Sequence, residues 1–405
     1  MSNGIDESTK LKIDLMFEGV RYTEALGRAA ATAYPSYYPY RFRDGEPNPT
    51  GKSKVPIPYL MTTPDDTHLR LRGDGRSAWS IEAGSGGYRL VRDGHEIAVD
   101  FEPRPSWLDR NTSDGFPMAQ AGVSLHADMA VINVAPGCEY FLKKENGRAM
   151  RCTFCSYGAP DERTAHLGQV AGRIDIPELT LQRMQEALRS AIAEAEVRHI
   201  YLVGGSLTDP REESDRYVQL ARAVREASDS GIPVTLGSGA LPGDCLDRFR
   251  AERLVDSVCF NLEVWSDKLF DQVCPGKSHY IGYEPWIESL EYAVSLWGRE
   301  RVYTAMVAGI ELEPEHGLEW DEAASLAIQG AEDLCGRGIV PIYSLYWPVG
   351  GKNRPDYLVR LRGYFEKVHS AYRDIRRAHG LSIWDGFMCH RCAFMQVECD
   401  IDRTS

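Results

Sequence analysis

"MAVINVAPGCEYFLKKENGRAMRCTFCSYG" occupies residues 129–158. It opens on a short apolar run rich in β-branched residues, with little polar alternation. Strands buried on both faces, as in parallel sheets, have this texture. Cys138 follows within a few residues, and Cys152 and Cys155 come after a polar loop. Five similar runs lie downstream: "HIYLVGG" (199–205), "PVTLGSG" (233–239), "VCFNLEV" (258–264), "VYTAMVAGI" (302–310) and "VPIYSLYW" (340–347). Between them, Leu181, Met184, Leu188 and Ile192 keep helical spacing, with Thr180 as the expected N-cap. Tyr217, Leu220, Ala221 and Val224 do the same, as do Ile287, Leu290, Val294 and Trp297. Gly231 and Gly338 stand where helices should stop before strands. Six strands alternating with helices predict an α/β protein built on a partial (βα)6 TIM-like barrel.

The flanks differ in texture. Segment 38–66 is dense in Pro, Gly and Tyr and reads as irregular chain. The runs "HLRLR", "AWSIEA", "YRLVR" and "EIAVDF", broken by glycine turns, predict β-hairpins between about 68 and 101. The expected division is therefore a small β-rich N-terminal domain (1–128), the barrel (129–350) and a C-terminal helical extension with cysteines (351–405).

The chain has 405 residues and a net charge of −13, which disfavours a nucleic-acid surface. There is no secretory leader pattern and no apolar run long enough to span a bilayer, so a cytoplasmic location is expected. Thiols stay reduced there, so the ten cysteines read as metal ligands, reactive groups or small core residues.

In a parallel barrel, function gathers on the loops after the strands, which is where Cys138 emerges. Three thiolates can hold three irons of a 4Fe–4S cube and leave the fourth open to an outside molecule. A closed zinc site needs a fourth ligand, and a redox pair would use Cys152 and Cys155 alone. Spacing by itself leaves these alternatives open. A second group, Cys389, Cys392 and Cys399 beside His390, suits another iron–sulfur cluster or a zinc ion. Cys274, in "CPGKSHY" (274–280), reads as a small core residue.

"CTFCSYG" after the first strand of a (βα)6 pattern resembles the radical S-adenosylmethionine (SAM) superfamily, whose motif is C-x3-C-x-aromatic-C. Here the first gap is thirteen residues rather than three, a CX13CX2C arrangement. The barrel is similar to those of biotin and lipoyl synthases. The resemblance implies that Cys138, Cys152 and Cys155 hold a 4Fe–4S cluster, with Phe154 near the adenine of SAM. It implies that Gly204, Gly205 and Ser206 meet the methionyl amine, that Ser238 meets the carboxylate, that Glu263 of "FNLEVW" binds the ribose hydroxyls, and that Val307 of "AMVAGIE" packs beneath the adenine.

The implied function is an oxygen-sensitive radical SAM enzyme. Its cluster would cleave SAM to a 5′-deoxyadenosyl radical, which takes hydrogen from a small-molecule or peptide substrate in specialised biosynthesis. Electrons would come from a donor such as flavodoxin or ferredoxin. The competing readings are a sulfur-inserting or methylthiolating radical SAM enzyme, with the C-terminal cysteines holding an auxiliary cluster, and a non-catalytic zinc or iron–sulfur protein.

Overall fold

A computed structural model describes residues 7–35, 39–155, 175–228, 231–346, 355–383 and 397. The chain divides into two compact units, Met1–Ser106 with His390–Ser405, and Trp107–Cys389.

The first unit carries helices Glu7–Glu18 and Glu24–Thr32 and a five-stranded antiparallel sheet. Strands His68–Arg70, Leu60–Thr62, His95–Phe101, Gly87–Arg92 and Ser80–Gly84 lie in that order across it. The turn joining the two central hairpin strands is Asp93-Gly94, with φ of 49° and 80°. Two consecutive positive φ values match the twist of a tight hairpin, which explains the Asp-Gly pair. Met61, Ile81 and Leu90 are fully buried beneath it. The expected hairpins are present. The stretch read as irregular holds short strands at Tyr40–Arg41, Lys54–Val55 and Leu60–Thr62. Two helices were not expected. The first buries Thr9 and Lys12 along with Ile13, Leu15 and Met16, so no clean apolar stripe betrays it.

The second unit is built on a seven-stranded sheet. We label its strands β1 (Val123–His126), β2 (Met129–Ile132), β3 (His199–Leu202), β4 (Val234–Ser238), β5 (Ser257–Phe260), β6 (Val302–Ala308) and β7 (Val340–Leu345). They lie in chain order across the sheet, and β2 to β7 are parallel throughout. All six expected βα strands form, so the α/β partial barrel is borne out. Strand β1 was not expected. It pairs antiparallel with β2, His126 opposite Met129, and so segment 107–128 goes with the barrel rather than with the N-terminal hairpins.

The helices are α1 (Glu178–Glu194), α2 (Pro210–Ala227), α3 (Gly243–Ala251), α4 (Asp267–Val273), α5 (Pro275–Tyr280), α6 (Tyr283–Trp297), α7 (Trp320–Gly336) and α8 (Pro355–Ala378). Met184 and Leu188 of α1 are fully buried, as are Ala221 and Val224 of α2 and Leu290 of α6. Helix α1 is capped at Pro177 rather than at Thr180, whose N–H donates to the Pro177 carbonyl from the first turn. Gly338 does stop α7, at φ 84°. Among the described residues no helix is long and apolar enough to cross a membrane. Cys389, Cys392 and Cys399 lie outside the described residues.

Candidate active site

The cysteine loop leaves the C-terminal end of β2 and is fastened on two sides. Cys138 precedes a single 3-10 turn, Glu139–Leu142. The Glu139 N–H donates to the Ser206 carbonyl at 2.8 Å. Its carboxylate accepts from the Thr208 N–H at 2.8 Å and the Thr208 hydroxyl at 2.9 Å. Between these contacts the backbones touch. A Cβ on Gly205 would lie 1.8 Å from the Gly137 oxygen and 2.5 Å from Cys138 Cα. No side chain fits there, which is why this position is glycine.

On the other side, the Thr153 N–H donates to the Val273 carbonyl and the Gly276 N–H to the Met150 carbonyl, both at 2.9 Å. The Cys155 N–H closes the C-x-x-C turn on the Cys152 carbonyl at 3.2 Å. Gly276 is as tightly held, since a Cβ there would lie 2.5 Å from the Met150 oxygen.

The three thiols lie within one another's electrostatic reach. Burial pushes Cys138 up to about 12, and the neighbouring Cys152 and Cys155 add to the rise. Cys152 moves the other way, because a hydrogen bond from the Cys274 thiol favours its ionised form. Among the described residues no three His, Cys, Asp or Glu side chains converge on one point as a single bound ion demands. A trio of neighbouring thiols, one already biased toward thiolate, fits a ligand set for a cluster, in which each sulfur meets a different iron.

The other strand ends gather around this loop. Gly204 follows β3, where a Cβ would lie 3.0 Å from the Tyr217 hydroxyl, and that hydroxyl donates to the Gly237 carbonyl of β4 at 2.9 Å. Ser206 is partly exposed. Ser238 is also partly exposed, and its hydroxyl donates to the Gly239 carbonyl at 2.8 Å. Phe154 is partly exposed beside the thiols. Val307 is partly exposed on β6 while Met306 and Ala308 are buried, the alternation of a strand with one open face. One carboxylate ties two of the ends together. Glu213 of α2, 2% exposed, accepts from the Leu207 N–H at 2.8 Å and the Gly239 N–H at 2.7 Å.

Glu263, just past β5, has φ 73°, a costly conformation for a side chain this size. Two ladder bonds to β6 hold it there. Its N–H donates to the Ala305 carbonyl at 2.9 Å, and the Val307 N–H donates to its own carbonyl at 2.7 Å. Lys277 of α5 donates to Oε1 at 2.7 Å and to the Asn261 carbonyl at 2.6 Å, and its Nζ stands 4.7 Å from the Trp286 ring centre. Burial would lower the Lys277 ammonium, but the Glu263 charge outweighs it and raises the group. Oε2 of Glu263 has no hydrogen-bond partner among the described residues. Sequence reasoning missed Lys277, although it stands in the "CPGKSHY" segment, whereas Cys274, read as a small core residue, is fully buried.

Beyond β6, Glu311 is 3% exposed, accepting from the Gly309 N–H at 3.0 Å and the Tyr364 hydroxyl of α8 at 3.2 Å. Burial pushes its carboxyl up to about 7, from 4.5. Below both values it is protonated whether folded or not. Between them the folded chain keeps a proton that the unfolded chain has lost, so stability falls as pH rises through this window. At about 1.4 kcal/mol per pKa unit, the wild type should lose about 3 kcal/mol relative to Glu311→Gln between about pH 4 and pH 8. Denaturant titrations of the pair across that range test this, and a pH-independent difference would contradict it.

No protein-family model matches the sequence. Among characterised proteins, the chain is 24% identical over 287 residues to the bacteriochlorophyllide c C-7(1)-hydroxylase of Chlorobaculum limnaeum. The match spans 66% of this chain and 66% of the relative, just under two thirds of that protein's length. Two solved structures are similar at 16% identity. The FeFe-hydrogenase maturase HydG from Carboxydothermus hydrogenoformans aligns with a TM-score of 0.39, over 62% of this chain and 52% of its own. A radical SAM methyltransferase from Sphaerobacter thermophilus aligns with a TM-score of 0.38, over 75% of each chain. The relative found among characterised proteins is an enzyme, and the cysteine triplet at the first βα strand with the ordered strand-end segments keeps the pattern by which the chain resembles the radical SAM superfamily.

Proposed function

We propose that this enzyme binds a 4Fe–4S cluster through Cys138, Cys152 and Cys155 and uses SAM to functionalise an unactivated C–H bond of a small molecule. When bound and reduced, the cluster would supply the electron that splits SAM into methionine and a 5′-deoxyadenosyl radical. The chain's own part is positioning. Gly204, Gly205 and Ser206 would present backbone groups to the methionyl amine, with Gly205 packed against Gly137, and Ser238 would offer its hydroxyl to the carboxylate. Glu263 would accept the ribose hydroxyls on Oε2, while Lys277 holds Oε1 and fixes the carboxylate plane. Charge-assisted bonds of this kind are about twice as strong as neutral ones. Val307 and Phe154 supply apolar surface for the adenine.

The observation that carries this reading is the cysteine loop clamped between the end of β3, at Gly205, and segment 273–276. The relative's name describes a hydroxylase of a chlorophyll-type small molecule, which favours a small molecule over a peptide. A flavodoxin or ferredoxin would deliver the electrons.

Anaerobic reconstitution with iron and sulfide tests the proposal. A brown protein with about four irons per chain at this loop, forming 5′-deoxyadenosine from SAM under reductant, is the expected result. A colourless protein holding stoichiometric zinc overturns it.

A further inference from the structure

The thirteen residues between Cys138 and Cys152 fold into a hairpin with two unlike sides. Strands Lys144–Glu145 and Arg148–Ala149 pair antiparallel, Lys144 opposite Ala149 and Glu145 opposite Arg148. Asn146 and Gly147 turn the corner at φ 51° and 83°, two consecutive positive values that suit a tight hairpin. Residues directly opposite each other share a face. The face of Glu145 and Arg148 is tied down. Glu145 accepts from the Tyr280 hydroxyl at 2.9 Å, and Arg148 donates to the Asp271 carboxylate at 2.9 Å. Tyr280 in turn stacks on Tyr140, with ring centres 5.6 Å apart. The face of Lys144 and Ala149 is exposed.

Two positions before Lys144, Leu142 is 60% exposed. It is one of five large apolar side chains exposed among the described residues, and the one that belongs to the cysteine loop. The loop carries Lys143, Lys144, Arg148 and Arg151 against two acids, in a chain whose net charge is −13. Both acids are committed, Glu139 to Thr208 and Lys143 and Glu145 to Tyr280. Lys144 and Arg151 are exposed and form no ion pair with any described residue. Arg151 lies over the Phe141 ring, 5.8 Å from its centre. An exposed leucine among uncommitted cations, on a braced hairpin, suits a small transient interface of the electron-transfer kind.

We propose that this hairpin, through Leu142, Lys144 and Arg151, is the docking surface for an acidic flavodoxin. The proposal rests on the cluster reading above and names where its electron donor lands, against the chain that joins two of the three cysteines. A flavodoxin presents the apolar edge of its flavin ring among carboxylates, which matches a leucine among cations. The negative charge of the chain as a whole repels such a partner, so attraction confined to this loop fixes how it lands.

The test measures binding of a purified bacterial flavodoxin to the reconstituted enzyme by isothermal titration calorimetry. Wild type is compared with Lys144→Glu, Leu142→Ser and a control, Val359→Ser, at a position 73% exposed on α8. All three side chains are exposed, so the variants should fold and load iron as the wild type does. Lys144→Glu should weaken binding about tenfold at low salt, and the gap should close toward about 1 M salt, where screening acts over about 3 Å. Leu142→Ser should weaken it about tenfold at either salt concentration, because the lost contact is apolar. Val359→Ser should bind as the wild type does. Wild-type affinity in both loop variants overturns the proposal, and so does an equal loss in the control. A ferredoxin that binds with this pattern where the flavodoxin does not bind also overturns it. So does wild-type self-association that Leu142→Ser abolishes in analytical ultracentrifugation, since the surface would then belong to a second copy. A wild type that takes up no iron refutes the cluster reading itself. An iron-loaded wild type whose flavodoxin binding ignores the loop variants refutes only the docking surface.

Discussion

Alanine at Cys152 is expected to reduce 5′-deoxyadenosine formation from SAM to the level of protein that was never reconstituted. Cys152 is the most deeply buried of the three loop thiols and the one whose surroundings favour the thiolate. Thiolate is the ligating form, so on the proposed cluster reading Cys152 would be one of the three iron ligands. On that reading two ligands would remain in the variant, and a cube on two thiolates would be exposed to loss and oxidation. The Thr153 and Gly276 main-chain bonds do not involve the lost sulfur, so the fold should survive. Iron content, sulfide content and product formation are measured on the same sample. Retained 5′-deoxyadenosine at wild-type rates would remove Cys152 from the ligand set.

Lys277→Met carries the largest expected cost in stability. Lys277 is 8% exposed and Glu263 is 7% exposed, so each neutralises the other almost entirely out of water. Removing one partner of such a pair costs about 3–5 kcal/mol, because the remaining charge is stranded. Against a total of about 5–15 kcal/mol for a typical domain, that is enough to shift the unfolding transition visibly. Methionine keeps the volume and the contact with Trp286, which isolates the charge. The double variant Lys277→Met/Glu263→Gln should regain part of the loss, since no ion is left behind. Denaturant unfolding of both variants checks this, and equal stability of single and double would show that the pair is not coupled.

The barrel was legible because parallel strands buried on both faces are written as apolar runs. "HIYLVGG" and "VYTAMVAGI" cannot be mistaken for amphipathic helix at that length. Their order also puts Gly205 and Glu263 at strand ends in the sequence alone. The reasons for those residues were not legible. Gly205 is explained by the Gly137 oxygen against it, a contact across 68 positions of chain. Glu263 reads as a solitary acid until Lys277 is seen, because α4 and a turn separate the partners in sequence. The first helix escaped notice because a buried lysine and threonine interrupt its stripe. Strand β1 escaped because four residues of antiparallel edge carry no βα rhythm.

Glu213 joins two strand ends that lie far apart in sequence. One acid side chain is the shared rivet for the chain at Leu207 and the chain at Gly239. Displacing either segment would break half of that joint and leave a buried carboxylate short of a donor, so α2 couples the two strand ends energetically.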